Sequence, residues 1–419
     1  MKADLPEPSP DARAASAALT RIIAAEIKAG GWMSFARYME LALYAPGLGY
    51  YSGGSRKFGD NASGGDFVTA PELTPLFGQA LARQVAQVLA ASVPQVIEAG
   101  AGSGHLAADM LLALDAMGAA PERYSILELS GELRARQATT LAERAPQFLE
   151  RVEWLDELPV KFSGCLIGNE VLDAMPTHAL RWSEEGLFER GVGLHEGAGS
   201  EHLLVAERPA GAALQAAARE IPVAAPYRGE VSLAARAWVA ELARRLEKGA
   251  MILLDYGLPR RELYHPQRNG GTLRCHYRHR VHDDPFWFPG LSDITSHVDF
   301  TAVAEAGFDA GLSVLGYTSQ AQFLMNCGIG ELLQEKLGAD EATALQGGRA
   351  KNALLAVADG DTARDAARPD KQAALRAQGA VSVLLSPNEM GELFKVIALG
   401  RGMPQPLLGF LRGDRTHAL

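Results

Sequence analysis

The chain has 419 residues, 47% hydrophobic and 21% charged, an ordinary globular composition with length enough for two or three domains and a large core. Fifty acidic against 40 basic residues give a net charge of −10, which argues against the broad basic footprint of a nucleic-acid binder. Three widely spaced cysteines, Cys165, Cys275 and Cys327, speak against a disulfide scaffold and for reduced thiols in a cytoplasmic compartment, and no apolar run approaches the roughly eighteen residues of a membrane span.

Residues 1–15 carry Pro6, Pro8 and Pro10 among Asp4, Glu7 and Asp11; they lack signal-peptide and presequence character and read as a disordered cytosolic tail. Residues 17–29 have Leu19, Ile22, Ile23 and Ile27 near a helical period, and 33–43 form a second amphipathic helix opened by the cap candidate Ser34. Residues 44–66 hold seven glycines with Tyr50, Tyr51 and Phe58, a loop long enough to be functional and placed to cover a site. A helix is expected over 71–91, after which apolar runs alternate with helical patterns, the mark of βαβ units around a mostly parallel sheet.

Strands are expected at 96–98, 124–128, 164–168 and 250–255, each ending at a glycine or an acid. Residues 183–206 read as a hairpin insertion, 210–221 and 232–248 as helices, and 259–298 as an irregular stretch dense in Arg, His and Pro. Two late strands are expected at 308–316 and 394–399; the Ala-rich 339–377 looks helical or loosely ordered. The chain then divides into a tail (1–15), N-terminal helices and cover loop (16–91), a first part of the core (92–182), an insertion (183–231), core continued (232–258), a substrate-side irregular segment (259–300) and a C-terminal part completing the sheet (301–419).

The sharpest motif is Val96-Ile97-Glu98-Ala99-Gly100-Ala101-Gly102-Ser103-Gly104, a strand feeding a glycine turn feeding a helix, where glycines let a ligand approach the backbone. A dinucleotide fingerprint needs glycine or alanine where His105 stands, which weakens a pyrophosphate role. The spacing Glu-x-Gly-x-Gly-x-Gly instead resembles the first motif of class I S-adenosylmethionine methyltransferases, whose turn faces an amino-acid moiety and a ribose, and Glu128, at the end of the next strand, is positioned to accept from both ribose hydroxyls as the equivalent acid does in Rossmann-like folds. At the end of the third strand, Gly168-Asn169-Glu170-Val171-Leu172-Asp173-Ala174-Met175-Pro176 offers two carboxylates for a cationic acceptor; a guanidinium is planar, forked and always charged, and a carboxylate is its bidentate partner. His276, His279 and His282 beside Cys275 fit no usual zinc spacing, so no metal site is expected; ion pairs or contacts to a protein substrate suit this segment better.

Together these residues resemble the MidA-like family of class I S-adenosylmethionine-dependent methyltransferases, which includes the mitochondrial complex I assembly factor, an arginine methyltransferase. The likeness rests on Gly49-Tyr50-Tyr51, Gly65-Asp66-Phe67-Val68-Thr69-Ala70-Pro71-Glu72, Phe77-Gly78, the glycine loop, Glu170 with Asp173 and Pro176, Asp255-Tyr256-Gly257, Gly271-Thr272-Leu273-Arg274, His279, His282-Asp283, Asp293 with Thr295, Val298-Asp299-Phe300, and Glu389-Met390-Gly391 with Phe394-Lys395-Val396. It implies an α/β fold: a Rossmann-like, seven-stranded class I methyltransferase sheet, its last strand antiparallel, with added N-terminal helices and an inserted substrate-binding region. It implies S-adenosyl-L-methionine as cofactor, held by Glu98, Gly100, Gly102, Gly104, Glu128, Leu129 and Asn169 under a cover that includes Thr69, Pro71 and Glu72. Glu170 and Asp173 are the expected catalytic pair. The implied acceptor is the ω-nitrogen of an arginine in a complex I peripheral-arm subunit, a protein partner and not a nucleic acid; transfer to another protein or small molecule, or cofactor binding by a non-catalytic assembly factor, are the alternatives.

Overall fold

The computed structural model describes residues 5–53, 69–197, 200–338 and 368–419. Helix α1 (Pro10–Gly30) starts where Ser9 accepts the Ala12 amide, with Pro10 at the first position and Asp11 in the first turn. This corrects the reading of 1–15 as a disordered tail: from Pro10 onward its prolines and acids are helix-start chemistry. Helix α2 (Phe35–Tyr44) is capped by Ser34 as expected. The helix expected over 71–91 breaks into α3 (Ala70–Leu73) and α4 (Pro75–Ala91), because Thr74 is extended and its hydroxyl caps α4. Of the expected cover loop, 54–66 lie outside the described residues, as does most of the Ala-rich stretch; 368–377 are helical.

The core is built from strands β1 (Gln95–Ala99), β2 (Arg123–Leu127), β3 (Val152–Leu155) and β4 (Phe162–Asn169), with helix α5 (His105–Ala116) between β1 and β2 and α6 (Gly131–Arg144) before β3. An insertion follows: β5 (His178–Ser183), β6 (Gly186–Gly197), β7 (Ser200–Pro209) and β8 (Tyr227–Val231) form an antiparallel sheet in the order β7-β6-β5-β8. The chain returns to the core through β9 (Leu246–Leu258). It then forms a three-stranded ribbon, β10 (Arg274–Tyr277), β11 (Arg280–His282) and β12 (Asp293–Thr295), where an irregular segment was expected. Strands this short cannot display an alternating pattern. Two residues, β13 (Val298–Asp299), pair with β9, and β14 (Ser313–Ser319) and β15 (Phe394–Arg401) complete the main sheet. The strand expected at 308–316 begins later, since Asp299 caps a helix over Phe300–Asp309.

Along the main sheet the strands run β14-β15-β9-β4-β1-β2-β3, parallel except that β15 is antiparallel to both its neighbours. Both faces are covered, which explains the near-continuous apolar runs. Val96, Ile126, Ile167, Ile252 and Leu254 pack with α4 and α5 through Phe77, Leu81 and Leu111, while Ile97, Leu166, Met251 and Leu253 face Val239, Leu242 and Phe300. Leu19, Ile23 and Tyr38 of α1 and α2 pack on Val192 of the inserted sheet and on Cys275 and Ile294 of the ribbon, holding both additions over the carboxyl ends of β4 and β9.

Candidate active site

In the turn after β1, Gly100, Gly102 and Gly104 have φ of 66°, 52° and 85°, a left-handed path that would strain any other residue. A Cβ on Gly100 would lie 3.2 Å from the Val171 side chain, so the turn is also packed against the acidic loop. Glu128 is buried; its carboxylate accepts the Ser130 amide at 2.9 Å and the Gln137 side-chain amide at 3.0 Å. Gln137 also donates to the Gly102 carbonyl at 3.2 Å and so ties the acid to the turn, a role that no pattern in a single sequence marks. Leu129, next to it, is 79% exposed, an apolar side chain left open beside the acid. Glu98 is turned inward to accept the Tyr124 hydroxyl at 2.6 Å, and burial pushes its carboxyl up to about 7.

Thr69, Pro71 and Glu72 lie at α3, against the glycine turn. Glu72 accepts the Ser103 hydroxyl and pairs with His105 Nδ1 at 3.1 Å, and these two partners hold its carboxyl below the usual range against the effect of burial.

Glu170, at the end of β4, has a φ of 55°, a conformation bulky residues rarely take, and its amide is fixed on the Leu254 carbonyl at 2.9 Å. Asn169 donates to its carboxylate at 3.1 Å, while the buried Asn169 Oδ1 has no partner among the described residues. Burial first, then the Asp173 and Asp293 carboxylates, push Glu170 up to about 8. Asp173 is buried and has one oxygen without a partner among the described residues. Beneath, one Asp255 oxygen accepts the amides of Val171, Leu172 and Asp173. Asp293 of β12 accepts the Tyr51 hydroxyl at 3.0 Å, and Tyr51 stacks on Tyr44 at 5.5 Å. Asp255 entered the sequence reading as the acid closing an expected strand and Asp293 as an ion-pair candidate, both also as parts of the resemblance, and neither as a site residue.

His279 and Arg278, both at positive φ, are the corner residues of the β10–β11 hairpin, and His282 bonds Ser292 at 3.0 Å, so the regular His spacing follows a turn. Among the described residues no three His, Cys, Asp or Glu come together in a way that could hold a metal ion, and no helix is long and apolar enough to cross a membrane.

This sheet order, with a glycine turn after its first strand and an acid after its second, is that of a class I methyltransferase. Residues 80–318 match the model of a family of S-adenosyl-L-methionine-dependent methyltransferases, and the chain belongs to that family. It is similar over 99% of its length to a COG1565 superfamily member from Burkholderia thailandensis bound to S-adenosyl-homocysteine, with 48% identity, 100% of that chain covered and a TM-score of 0.88. Curated relatives are the mitochondrial protein arginine methyltransferase NDUFAF7 of Danio rerio, 29% identical over 76% of this chain and 78% of that one, and the Drosophila melanogaster homolog, 27% identical over 97% and 91%. The protein is therefore an S-adenosyl-L-methionine-dependent methyltransferase. Those relatives are named mitochondrial, which overturns the cytoplasmic expectation. The N-terminal composition behind it is that of a capped helix start and does not report a compartment.

Proposed function

We propose that this methyltransferase modifies the ω-nitrogen of a protein arginine, in a peripheral-arm subunit of respiratory complex I. The observation that carries the reading is the convergence of Glu170, Asp173, Asp255 and Asp293. The charges that raise Glu170 most are the carboxylates of Asp173 and Asp293, and those that raise Asp255 most are the carboxylates of Asp173 and Glu170. Several buried acids without a countercharge are costly, and a guanidinium would supply it with donors in a fork that matches carboxylates. The names of the curated relatives support the same acceptor.

The residues fit the cofactor: three left-handed glycines leave room for close backbone approach, Glu128 has remaining acceptor capacity for ribose hydroxyls, and Leu129 offers an apolar surface to a base. Gly100, Gly102, Gly104, Glu128, Leu129 and Asn169 are the proposed holders, with Glu98 bracing the turn from beneath and Thr69, Pro71 and Glu72 closing it. When bound, S-adenosyl-L-methionine supplies an electrophilic methyl on a sulfonium. Displacement from such a centre needs alignment and exclusion of water more than acid-base chemistry. Glu170 orients the guanidinium, Asp173 shares its charge, and one of the two takes the proton lost as the nitrogen is alkylated. Tyr44 and Tyr51 wall the acceptor side. Mass spectrometry of the host proteome with and without this protein tests the reading: loss of a methylated arginine in a complex I subunit is expected, and modification of no arginine in any protein would overturn it.

A further inference from the structure

The ribbon of β12, β10 and β11 has two faces, and its register sorts them. Ile294, Cys275 and His282 stand opposite one another in one rung, where Cys275 and Ile294 pack in one cluster with Tyr38 of α2. The neighbouring rung is Asp293, His276 and Val281, whose side chains share the other face because direction alternates along a strand. That face climbs out of the acceptor site: Asp293 is 4% exposed, His276 half-buried and Val281 52% exposed. Its inner end is tied to the acidic loop. The Tyr51 hydroxyl donates to Asp293, the Tyr44 hydroxyl beside it donates to the Ala174 carbonyl at 2.9 Å, and the Ser296 amide donates to the Asp173 carbonyl at 3.0 Å.

The outer end of the ribbon is a cationic corner. Tyr277 pairs with Arg280 across a two-residue turn, and Arg278 and His279 hold that turn at φ of 46° and 59°. Positive φ at both positions favours Asn-Gly, yet the residues here are bulky, and Arg278, His279 and Arg280 are all exposed. Arg278 lies over the Tyr277 ring at 5.3 Å, and Tyr277 rests on Trp287 at 4.8 Å, so the guanidinium stands on a firm aromatic base. Backbone strain kept at an exposed, cationic corner points to a use beyond the fold.

We propose that this ribbon face is the docking surface for the protein that carries the acceptor arginine, and that Arg278 at its tip receives a carboxylate two or three residues from that arginine. The surface rests on the proposed arginine acceptor and extends it to the acceptor's flanking sequence. Spacing sets the offset. Arg278 is two residues along the strand from the Asp293 rung, roughly 7 Å, and Val281 is two strands across, roughly 10 Å. An extended chain advances about 3.3 to 3.6 Å per residue, so these distances correspond to two or three residues of substrate. Val281 offers an apolar seat on the way. In a chain of net charge −10, the run Arg278-His279-Arg280 is a local positive corner that steers an acidic segment toward the site.

The first test uses labelled S-adenosyl-L-methionine, with an extract of host cells lacking the protein as acceptor pool. Arg278→Asn combined with His279→Gly gives the turn residues that its backbone favours, so the urea midpoint should hold or rise. The extract concentration that gives half-maximal labelling of protein arginine should nevertheless rise about tenfold. Affinity for S-adenosyl-homocysteine should be unchanged, and the salt sensitivity of wild-type labelling should be reduced. A wild-type half-maximal concentration in the folded variant would overturn the docking surface, and labelling abolished by ribonuclease would overturn an acidic protein segment as its occupant. The second test presents peptides with a single arginine and with glutamate, alanine or lysine two or three residues to either side. The wild type should favour glutamate over lysine by about tenfold in kcat/KM, and Arg278→Glu should reverse the order. The same order in both enzymes would overturn the assignment of Arg278. If the wild type labels no arginine in extract or peptide, the acceptor reading itself falls, and the surface with it.

Discussion

Asp255 holds Asp173 through the main chain: one oxygen of this fully buried carboxylate in β9 accepts the Asp173 amide at 3.3 Å and those of Leu172 and Val171 at 2.8 and 3.1 Å. Its other oxygen accepts the Tyr256 amide at 2.9 Å. An acid inside β9 and an acid in the loop that follows its parallel neighbour β4 are thus locked together, one structural and one facing the site.

Removing that lock should be expensive. Asp255→Ala strands several buried amides and is expected to cost about 3 to 5 kcal/mol, since a buried donor left unmet pays its full desolvation. A urea midpoint within error of the wild type would refute this. If the variant folds, transfer should fall further than cofactor affinity, because the lost acceptor orders 171–173 and not the glycine turn.

Gly104 shows why the turn tolerates no side chain. Its φ is 85°, and a Cβ would lie 3.1 Å from the Gln137 backbone, pushing on the residue that links Glu128 to Gly102. Gly104→Val should abolish binding of S-adenosyl-homocysteine by calorimetry with the circular dichroism of the fold retained. Gly102→Val should do the same through its φ of 52°. Normal affinity in both would remove the turn from the cofactor site.

Which parts were legible in the sequence follows from burial. β1, β4 and β9 are covered on both faces, so they stand out as apolar runs ending in glycine or acid, and the glycine turn announces itself because only glycine takes its φ cheaply. β3 was missed because it is an edge strand with every residue only partly buried. β10 to β12 were missed because three or four residues cannot show a period. Glu170 and Asp173 were found as candidates from their place at a strand end, whereas Gln137 sits in an ordinary amphipathic helix and acts only through tertiary contacts.

Glu170 makes acceptor binding depend on pH. Its carboxyl is pushed up to about 8, so below that value the free site is largely protonated and a guanidinium must displace the proton. Apparent acceptor affinity should rise as pH increases toward about 8 and then level. Glu170→Gln should lose that rise, keep cofactor affinity, and lower transfer by a factor of roughly a hundred. Rate measurements against pH decide it: a wild-type rate in Glu170→Gln, or an unchanged pH profile, would remove Glu170 from the acceptor site.

The same buried acids set how stability responds to pH. Glu98 is raised from 4.5 to about 7, Asp109 from 3.8 to about 6 and Glu170 from 4.5 to about 8, in each case first by burial. A raised acid keeps its proton in the folded chain over a range where the unfolded chain has released it. The folded state therefore binds more protons between the ordinary carboxyl value and the raised one, and stability falls as pH rises through that window. The stabilising share of each group is complete below about 4 and lost progressively up to about 8, with Glu72 and Glu392, both lowered, working in the opposite direction at the acid end. Urea midpoints should decline from pH 5.5 to pH 8. Glu98→Gln, which keeps an oxygen for the Tyr124 hydroxyl and removes a titrating group, should make the decline shallower and gain relative to the wild type at pH 8. A midpoint that climbs over that range, or a Glu98→Gln slope identical to the wild type, would show that these carboxyls are ionised in the fold at ordinary pH.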